Sequence, residues 1–194
     1  GNADITVSYT LTDGGELQIA YEGKADRDTI FNLTNHSYFN LDGQESDSVL
    51  KQKVWLDADA FTPGDAGLIP TGEIRSVEGT PMDFRTEHTI GERIDADYEP
   101  LKLAGGYDHN YVLKNEGTYA LCGRLISDKS GICMEVSTDA PGIQLYAANF
   151  LENEKGGKGG HTYVRRSAVC FESQYFPDAC HHENFKSPIV KAGE

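Results

Sequence analysis

The sequence has little positive charge and no long apolar run. Its 194 residues contain 17 Lys and Arg against 31 Asp and Glu, which gives a formal net charge of -14. Nucleic acids and anionic membranes bind proteins through clustered Lys and Arg, and no such cluster occurs here. No apolar stretch approaches the ~20 residues that a membrane-spanning helix needs. We therefore expect neither a nucleic acid nor a membrane as a partner.

The four cysteines lack the paired spacing of a zinc or redox site. No two of Cys122, Cys133, Cys170 and Cys180 form a CxxC motif, so reduced structural thiols are expected. Cys122 and Cys133 could face each other across a hairpin, which leaves a disulfide open. Residues 180–183 (CHHE) have metal-ligand types, but neighbours in a strand point apart and no second cluster accompanies them. The sequence predicts no metal site and no cofactor.

Sustained helical periodicity is also missing, and strands never alternate with helices as a βαβ fold requires. Residues 5–11 and 17–21 alternate apolar and polar side chains around the turn TDGG at 12–15, which predicts a β-hairpin. The span 78–106 is irregular, with one helical turn expected near 89–94. Further strands are predicted over residues 49–61, 73–77, 107–113, 119–127, 132–138, 143–150 and 168–175. This pattern favours an all-β, antiparallel β-sandwich forming a single domain over residues 1–194.

Residues 31–41 (FNLTNHSYFNL) concentrate hydrogen-bonding side chains among strand-forming ones. If the stretch starts as a strand, its period of two puts Asn32, Thr34 and His36 on one face and apolar side chains on the other. A lone histidine in such a strand is ordinarily a structural or exposed residue. Its polar neighbours make a functional site the alternative.

Three later segments also place polar groups inside strand-like runs. They are residues 106–110 (GYDHN), 141–144 (PGIQ) and 171–174 (FESQ). In the last of these, alternation puts Glu172 on one face with Ala168, Cys170 and Gln174. The small side chains of Ala168 and Cys170 leave room beside the carboxylate. A strand glutamate by itself is more often a solvated, outward residue.

In order along the chain, these four segments resemble the motifs of the aldose 1-epimerase (galactose mutarotase) family. NLTNHSYFNL is similar to the family's histidine motif and GGYDHNYVL to its aspartate motif. TDAPGIQLYAANFL is similar to the glutamine motif, and FESQYFPDACHHENFKSPIVKAGE to the glutamate motif, where ETQ is commoner than ESQ. The resemblance covers nearly the whole chain and implies the β-sandwich of the galactose mutarotases, truncated at its N-terminal side.

The resemblance implies an enzyme that interconverts the α and β anomers of a free hexose, galactose or glucose, without a cofactor. Glu172 would be the general base on the anomeric hydroxyl, and His36 the general acid on the ring oxygen. Glutamate and histidine side chains have reference pKa values of about 4.3 and 6.5, so a carboxylate and an imidazolium can coexist near neutral pH. The remaining implied roles are hydrogen bonding to sugar hydroxyls by Asp108 and Gln144 and lining of the pocket by Ser37 and Tyr38.

Full-length family members carry an upstream half with Asn-Arg and His-Gly-Gly stretches, and neither stretch occurs in these 194 residues. The chain is therefore expected to be the C-terminal part of such an enzyme, weakly active or inactive alone and self-associating through exposed sheet edges. The alternatives are a non-catalytic carbohydrate-binding β-sandwich and a hexose-6-phosphate 1-epimerase, which should carry additional Arg and Lys. The expected location is the cytoplasm, with the periplasm as the alternative.

Overall fold

The computed structural model describes residues 1–115 and 117–194, and the chain divides into two compact units. One unit comprises residues 1–33 and 179–194, and the other residues 34–178. The strands, in chain order, are β1 (Ala3–Leu11), β2 (Leu17–Ala25), β3 (Thr29–Ile30), β4 (Lys53–Leu56), β5 (Ala58–Thr62), β6 (Arg75–Ser76), β7 (His88–Thr89), β8 (Asp108–Leu113), β9 (Ala120–Ile126), β10 (Cys133–Thr138), β11 (Gly142–Tyr146), β12 (Cys170–Gln174) and β13 (Ile189–Val190). The helices are α1 (Ile90–Arg93) and α2 (Glu99–Ala104), with 3₁₀ turns at Lys158–Gly160 and Ala179–His181.

The larger unit is a sandwich of two antiparallel sheets. One sheet has the strand order β10-β9-β4-β7, and the other β12-β11-β8-β5-β6. The sheets meet closely at Gly123 of β9, where an added Cβ would lie 3.2 Å from Leu56 and 3.5 Å from the ring of Phe171 in the facing sheet. Leu56 and Phe171 belong to the same buried cluster, to which both sheets contribute. The predicted all-β, antiparallel sandwich is confirmed.

The smaller unit contains the predicted hairpin. Strands β1 and β2 pair antiparallel from Ala3 opposite Ala25 to Leu11 opposite Leu17. This register collects apolar side chains on one side of the two-stranded sheet, because residues two apart share a face. We call this side the apolar hairpin face; its members are Ile5, Val7, Tyr9, Leu11, Leu17, Ile19 and Tyr21. In the same unit β3 pairs with β13.

Most predicted strands form with shorter bounds than their patterns indicated. Residues 49–61 divide into β4 and β5, and the run 143–150 leaves its strand after Tyr146. The helical turn expected near 89–94 is α1, whereas α2 was not expected because six residues are too few to establish a period. No helix in the described part of the chain combines the length and apolar character of a bilayer-spanning segment.

Residues 31–38 form no strand. The assumption of a strand here is therefore wrong, and with it the placement of Asn32, Thr34 and His36 on one strand face. The backbone instead forms an isolated bridge in which Phe39 and Val169 each donate a hydrogen bond to the other at 2.9 Å. Next to the bridge, the side-chain amide of Asn40 donates to the carbonyl of Ser167 at 2.8 Å. The polar residues of this stretch therefore hold a loop against distant parts of the chain.

The register of β9 and β10 corrects the alternative that Cys122 and Cys133 form a disulfide. Cys133 lies opposite Ile126, and its side chain is exposed. Cys122 is buried, and its Sγ donates to the carbonyl of Val136 at 3.3 Å. Both residues are free thiols in the structure.

Two buried tyrosines allow a matched test of the core. Tyr107 and Tyr111 both contact the ring of Phe84. The Tyr107 hydroxyl donates to the carbonyl of Pro81 at 3.0 Å, whereas that of Tyr111 has no hydrogen-bond partner among the described residues. We expect Tyr107→Phe to lower the free energy of unfolding by about 1–2 kcal/mol and Tyr111→Phe to leave it unchanged or raise it by up to ~1 kcal/mol. Urea denaturation measures both, and the reverse order would contradict this account.

Candidate active site

Strand β12 turns Glu172 away from the sandwich core. Val169 and Phe171 enter the buried cluster, and Glu172 lies with Cys170 and Gln174 on the other face, as alternation predicted. Glu172 is nevertheless only 8% exposed. The interpretation of this residue as a solvated, outward glutamate is therefore wrong.

The neighbouring strands add their polar side chains to the same face. In the register of the sheet, Gln144 of β11 lies opposite Glu172 of β12 on one side and opposite Asn110 of β8 on the other. Tyr146 in turn lies opposite Asp108. Because directly opposed residues of antiparallel strands share a face, three adjacent strands present carboxylates, amides and a phenol on one surface.

A chain of hydrogen bonds fixes the amides on this surface. Gln144 Nε2 donates to Asp108 Oδ1 at 2.7 Å, and Gln144 Oε1 accepts from Gln174 Nε2 at 3.2 Å. Gln174 Nε2 also lies 3.3 Å from Asn110 Oδ1, and Asn110 Nδ2 donates to the Thr62 hydroxyl at 3.3 Å. The orientation of Gln144 is therefore set from both of its ends before any ligand binds.

His36 reaches the same surface from the loop that precedes Phe39. Its Nε2 lies 3.3 Å from Glu172 Oε1. The imidazole ring is 5.1 Å from the ring of Tyr38 and meets Tyr146 edge-on at 5.9 Å, measured between centroids. The His36 side chain is 47% exposed and that of Glu172 10% exposed. An accessible imidazole thus faces a sheltered carboxylate.

A cleft of ≈ 390 Å³ opens over these groups, which is within the ~300–1,000 Å³ typical of small-molecule sites. Its lining residues are His36, Tyr38, Asp108, Gln144, Tyr146, Phe150, Glu172, Gln174 and Pro177. Of the six residues predicted from the sequence, all but Ser37 are therefore brought together. The backbone N–H of Ser37 donates to Asn35 Oδ1 at 3.2 Å, and its predicted place beside the pocket stays a prediction.

Four lining residues were not predicted from the sequence. Tyr146 and Gln174 each lie two residues after a predicted site residue in a strand. The period of two had already placed Gln174 on the face of Glu172, and the same signal could have found Tyr146 beside Gln144. Phe150 and Pro177 follow the ends of β11 and β12 in irregular backbone, where spacing carries no such signal. Phe150 is held there because its backbone N–H donates to the Tyr146 hydroxyl at 3.2 Å and the two rings stack.

Burial dominates the electrostatics of the cleft. It raises the pKa of Glu172, an effect that the nearby His36 opposes and the Asp108 carboxylate reinforces. Burial also raises the pKa of Asp108, against the hydrogen bond from Gln144 and the attraction of His36. The Tyr38 hydroxyl is likewise desolvated, which raises its pKa to about 12. Glu172 is thus a stronger base than a solvated glutamate, and Tyr38 stays a neutral hydroxyl.

His109 lies beside Asp108 in sequence but points to the other face of β8, because adjacent residues of a strand face opposite sides. It is buried, and its ring meets that of Phe61 edge-on at 5.8 Å. Burial lowers the pKa of His109 to about 4, so the ring is neutral. Its Nδ1 accepts the backbone N–H of Asp108 at 3.1 Å. His109 therefore packs in the core of the sandwich and does not line the cleft.

Comparison with known proteins finds similar sequences over the whole chain. The aldose 1-epimerase family model matches residues 1–194. The galactose mutarotase of Bos taurus is 42% identical over 194 residues, which are 100% of this chain and 55% of the bovine protein. The aldose 1-epimerase of Escherichia coli K12 is 35% identical over 197 residues, which cover 100% of this chain and 56% of that protein. The chain spans about half the length of these curated relatives.

Two solved structures share the fold. An aldose epimerase homologue from C. elegans superposes with a TM-score of 0.86 at 32% identity, over 99% of this chain and 56% of its own. A galactose 1-epimerase from Lactobacillus acidophilus superposes with a TM-score of 0.82 at 27% identity, over 100% of this chain and 54% of its own.

Proposed function

The chain belongs to the aldose 1-epimerase family, and from this premise we propose that it interconverts the α and β anomers of a free hexose such as galactose or glucose. The observation that carries the proposal is the 3.3 Å separation of His36 Nε2 and Glu172 Oε1 in an open cleft. A titratable acid and a base with a raised pKa, facing each other in a pocket, are the groups that proton-transfer chemistry requires.

Anomer exchange needs one proton removed and one delivered at two oxygens bonded to the same carbon. In the proposed mechanism Glu172 accepts the proton of the anomeric hydroxyl, and protonated His36 donates one to the ring oxygen. The bond between the anomeric carbon and the ring oxygen breaks, giving the open-chain aldehyde. After rotation about the C1–C2 bond, His36 takes its proton back from the hydroxyl that was the ring oxygen, Glu172 returns its proton to the aldehyde oxygen, and the ring closes as the other anomer. Both groups must converge on one carbon, and the 3.3 Å between His36 Nε2 and Glu172 Oε1 supports this.

The other lining residues would bind and orient the sugar. The Asp108 carboxylate would accept hydrogen bonds from sugar hydroxyls beside the fixed amide of Gln144. The rings of Tyr38 and Tyr146, 6.2 Å apart and edge-to-face, would pack against its apolar C–H surface. No Lys or Arg is among the described residues that line the cleft. Since phosphate sites use those side chains, a free hexose fits the cleft better than a hexose 6-phosphate.

A second candidate is a carbohydrate-binding sandwich without turnover. It is favoured by one observation, that the chain spans about half the length of its curated relatives. In this form of the proposal residues 1–194 are a single domain, the C-terminal part of an epimerase. The groups that position the sugar in the other half would then be needed for full activity.

Polarimetry of freshly dissolved α-galactose tests the proposal and its pH dependence. The chain should accelerate the change in optical rotation over buffer alone, whereas galactose binding without acceleration would select the second candidate.

The pH dependence of the same reaction tests the role of Glu172. As pH falls, kcat/KM should fall through the raised pKa of Glu172, because a protonated carboxyl accepts no proton. The midpoint of this acid limb of the pH profile should lie above the ~4.3 of a free glutamate. Asp108→Asn removes a charge that raises this pKa, so the limb should move to lower pH. An unmoved limb would contradict the assignment to Glu172.

We also propose that the chain associates with a second copy of itself through the β1–β2 hairpin. Every residue of β1 is exposed, and Leu11 and Leu17 are 78% and 56% exposed. Within the described residues β1 and β2 pair only with each other, which leaves an unpaired edge on each strand. Isolated two-stranded sheets are marginally stable, and unpaired edges next to apolar surface favour pairing with another chain.

Sedimentation velocity at increasing concentration tests this association. The wild-type chain should shift from monomer towards dimer over the micromolar range, and Val7→Lys on the apolar hairpin face should keep it monomeric. Thr6→Lys is the matched control, because Thr6 lies on the opposite face, opposite Glu22. A wild-type chain that stays monomeric throughout, or equal effects of both substitutions, would contradict the proposed surface.

As part of the same proposal we assign the chain to the cytoplasm, with the periplasm as the alternative location. The cysteines described by the structure are free thiols, the state that reducing compartments maintain.

A further inference from the structure

The acid–base pair has a third neighbour that the proposed mechanism does not use. Cys170 precedes Glu172 by two residues on β12, and its thiol is fully buried on the same face. One ligand atom each of His36, Cys170 and Glu172 lies within 4.8 Å of the other two. We propose that this His36–Cys170–Glu172 cluster binds a thiophilic divalent cation, of which Zn²⁺ is the representative, and that the bound cation blocks the sugar site.

The spacing of the ligand atoms fits a tetrahedral ion. Zinc lies ~2.0–2.2 Å from nitrogen and oxygen ligands and ~2.3 Å from sulfur, so tetrahedral angles place nitrogen and oxygen about 3.4 Å apart and sulfur about 3.6 Å from either. The 3.3 Å between His36 Nε2 and Glu172 Oε1 already matches the first separation. With all three atoms within 4.8 Å, the Cys170 sulfur needs to approach by about 1.2 Å at most.

The ligand types select the class of cation. A thiolate with an imidazole suits zinc and its chemical neighbours, whereas Mg²⁺ and Ca²⁺ prefer oxygen ligands alone. On binding, the S–H proton of Cys170 passes to solvent and the sulfur lone pair forms the bond to the metal, with no change of oxidation state. The thiolate and the Glu172 carboxylate together neutralise the dication. Because the thiol must lose its proton to bind the ion, binding should tighten as pH rises.

Three protein ligands leave the fourth position of the ion open towards the cleft, on the side of the half-exposed His36. The bound ion would occupy the lone pairs of His36 Nε2 and Glu172 that proton transfer requires. Inhibition should therefore compete with the sugar. This last step depends on the proposed function, whereas binding of the cation does not.

Cobalt binding tests the site without any assay of activity. The test protein carries Cys133→Ser and Cys180→Ser, which remove the two exposed thiols. Titration with Co²⁺ alone should produce a thiolate-to-cobalt charge-transfer band that saturates at one equivalent, and Zn²⁺ should abolish it by displacement. No band in this protein would overturn the proposal, whatever further variants do.

Two buried cysteines provide a matched pair in the same background. Cys170→Ser should remove the band and weaken Zn²⁺ binding by about tenfold or more, because a hydroxyl is a poor zinc ligand. Cys122→Ser, at a buried position in the other sheet, should leave both unchanged. Circular dichroism checks that each variant is folded. A band that survives Cys170→Ser would place the metal elsewhere and refute the site.

Kinetics then test the blocking step. Zn²⁺ should raise the apparent KM for galactose with kcat unchanged, and Cys170→Ser should lose this sensitivity by about tenfold or more while keeping its activity in metal-free buffer. Zn²⁺ that lowers kcat without changing KM would contradict occupation of the sugar site. A cobalt band in a protein without mutarotation would uphold the metal site and refute the proposed function, whereas mutarotation without a band would do the reverse.

Discussion

Replacing Glu172 with glutamine should lower the enzyme-catalysed rate of galactose mutarotation by about 10²–10⁴-fold, the usual contribution of one positioned proton-transfer group. The amide has the size of the carboxyl group and can keep its place on β12, but it has no basic lone pair to accept the anomeric proton. The Glu172 side chain is only 10% exposed, so water does not readily replace it as the base. Polarimetry of fresh α-galactose, corrected for the rate in buffer, measures the loss.

The control for this experiment is a glutamate in a strand outside the cleft. Glu135 of β10 faces solvent, and its carboxylate lies 2.9 Å from Arg124 Nε. Glu135→Gln changes the net charge by the same amount as Glu172→Gln but should leave the rate unchanged. Equal rates for wild type and Glu172→Gln would show that this carboxylate is not the base.

Replacing His36 with glutamine should cause a loss of the same order, about 10²–10⁴-fold, because the ring oxygen then leaves as an unprotonated alkoxide. Acid and base act in one step, so the double variant of His36→Gln and Glu172→Gln should be little slower than either single variant. The same polarimetric rates measure all three proteins.

The structure supplies a matched control in a second histidine–glutamate pair. His88 Nδ1 lies 3.0 Å from Glu92 Oε2, outside the cleft. His88→Gln should leave the rate unchanged. Losses that multiply in the double variant would contradict a concerted pair, and unchanged rates in His36→Gln would remove this residue from the mechanism.

The candidate-site residues that lie on strands could be predicted from the sequence, because their arrangement depends on neighbouring residues. At the start of β12 the alternation of buried Phe171, and of Val169 just before the strand, with Glu172 follows from the period of a strand, whatever the rest of the fold does. The hairpin was predictable for a similar reason, since a TDGG turn fixes two adjacent strands. These features depend on residues that are neighbours in the sequence.

The candidate-site residues that lie in loops could not be predicted in the same way. His36 owes its place to hydrogen bonds between Phe39 and Val169, which no short-range pattern reveals, and the assumed strand around it does not exist. Phe150 and Pro177 join the cleft only because their strands end nearby. Which group acts as acid and which as base comes from the resemblance to the aldose 1-epimerases, and it stays a prediction until the variants are measured.

The bridge between Phe39 and Val169 has a further consequence. His36 lies three residues before one end of it and Glu172 three residues after the other, so this pair of backbone hydrogen bonds, with the Asn40–Ser167 bond beside it, holds the two proposed proton-transfer groups near each other. Local fraying on warming, which costs far less free energy than melting the sandwich, would separate them. On warming, the proposed mutarotation activity should therefore be lost at temperatures where the sheets are still intact, and it should return on cooling.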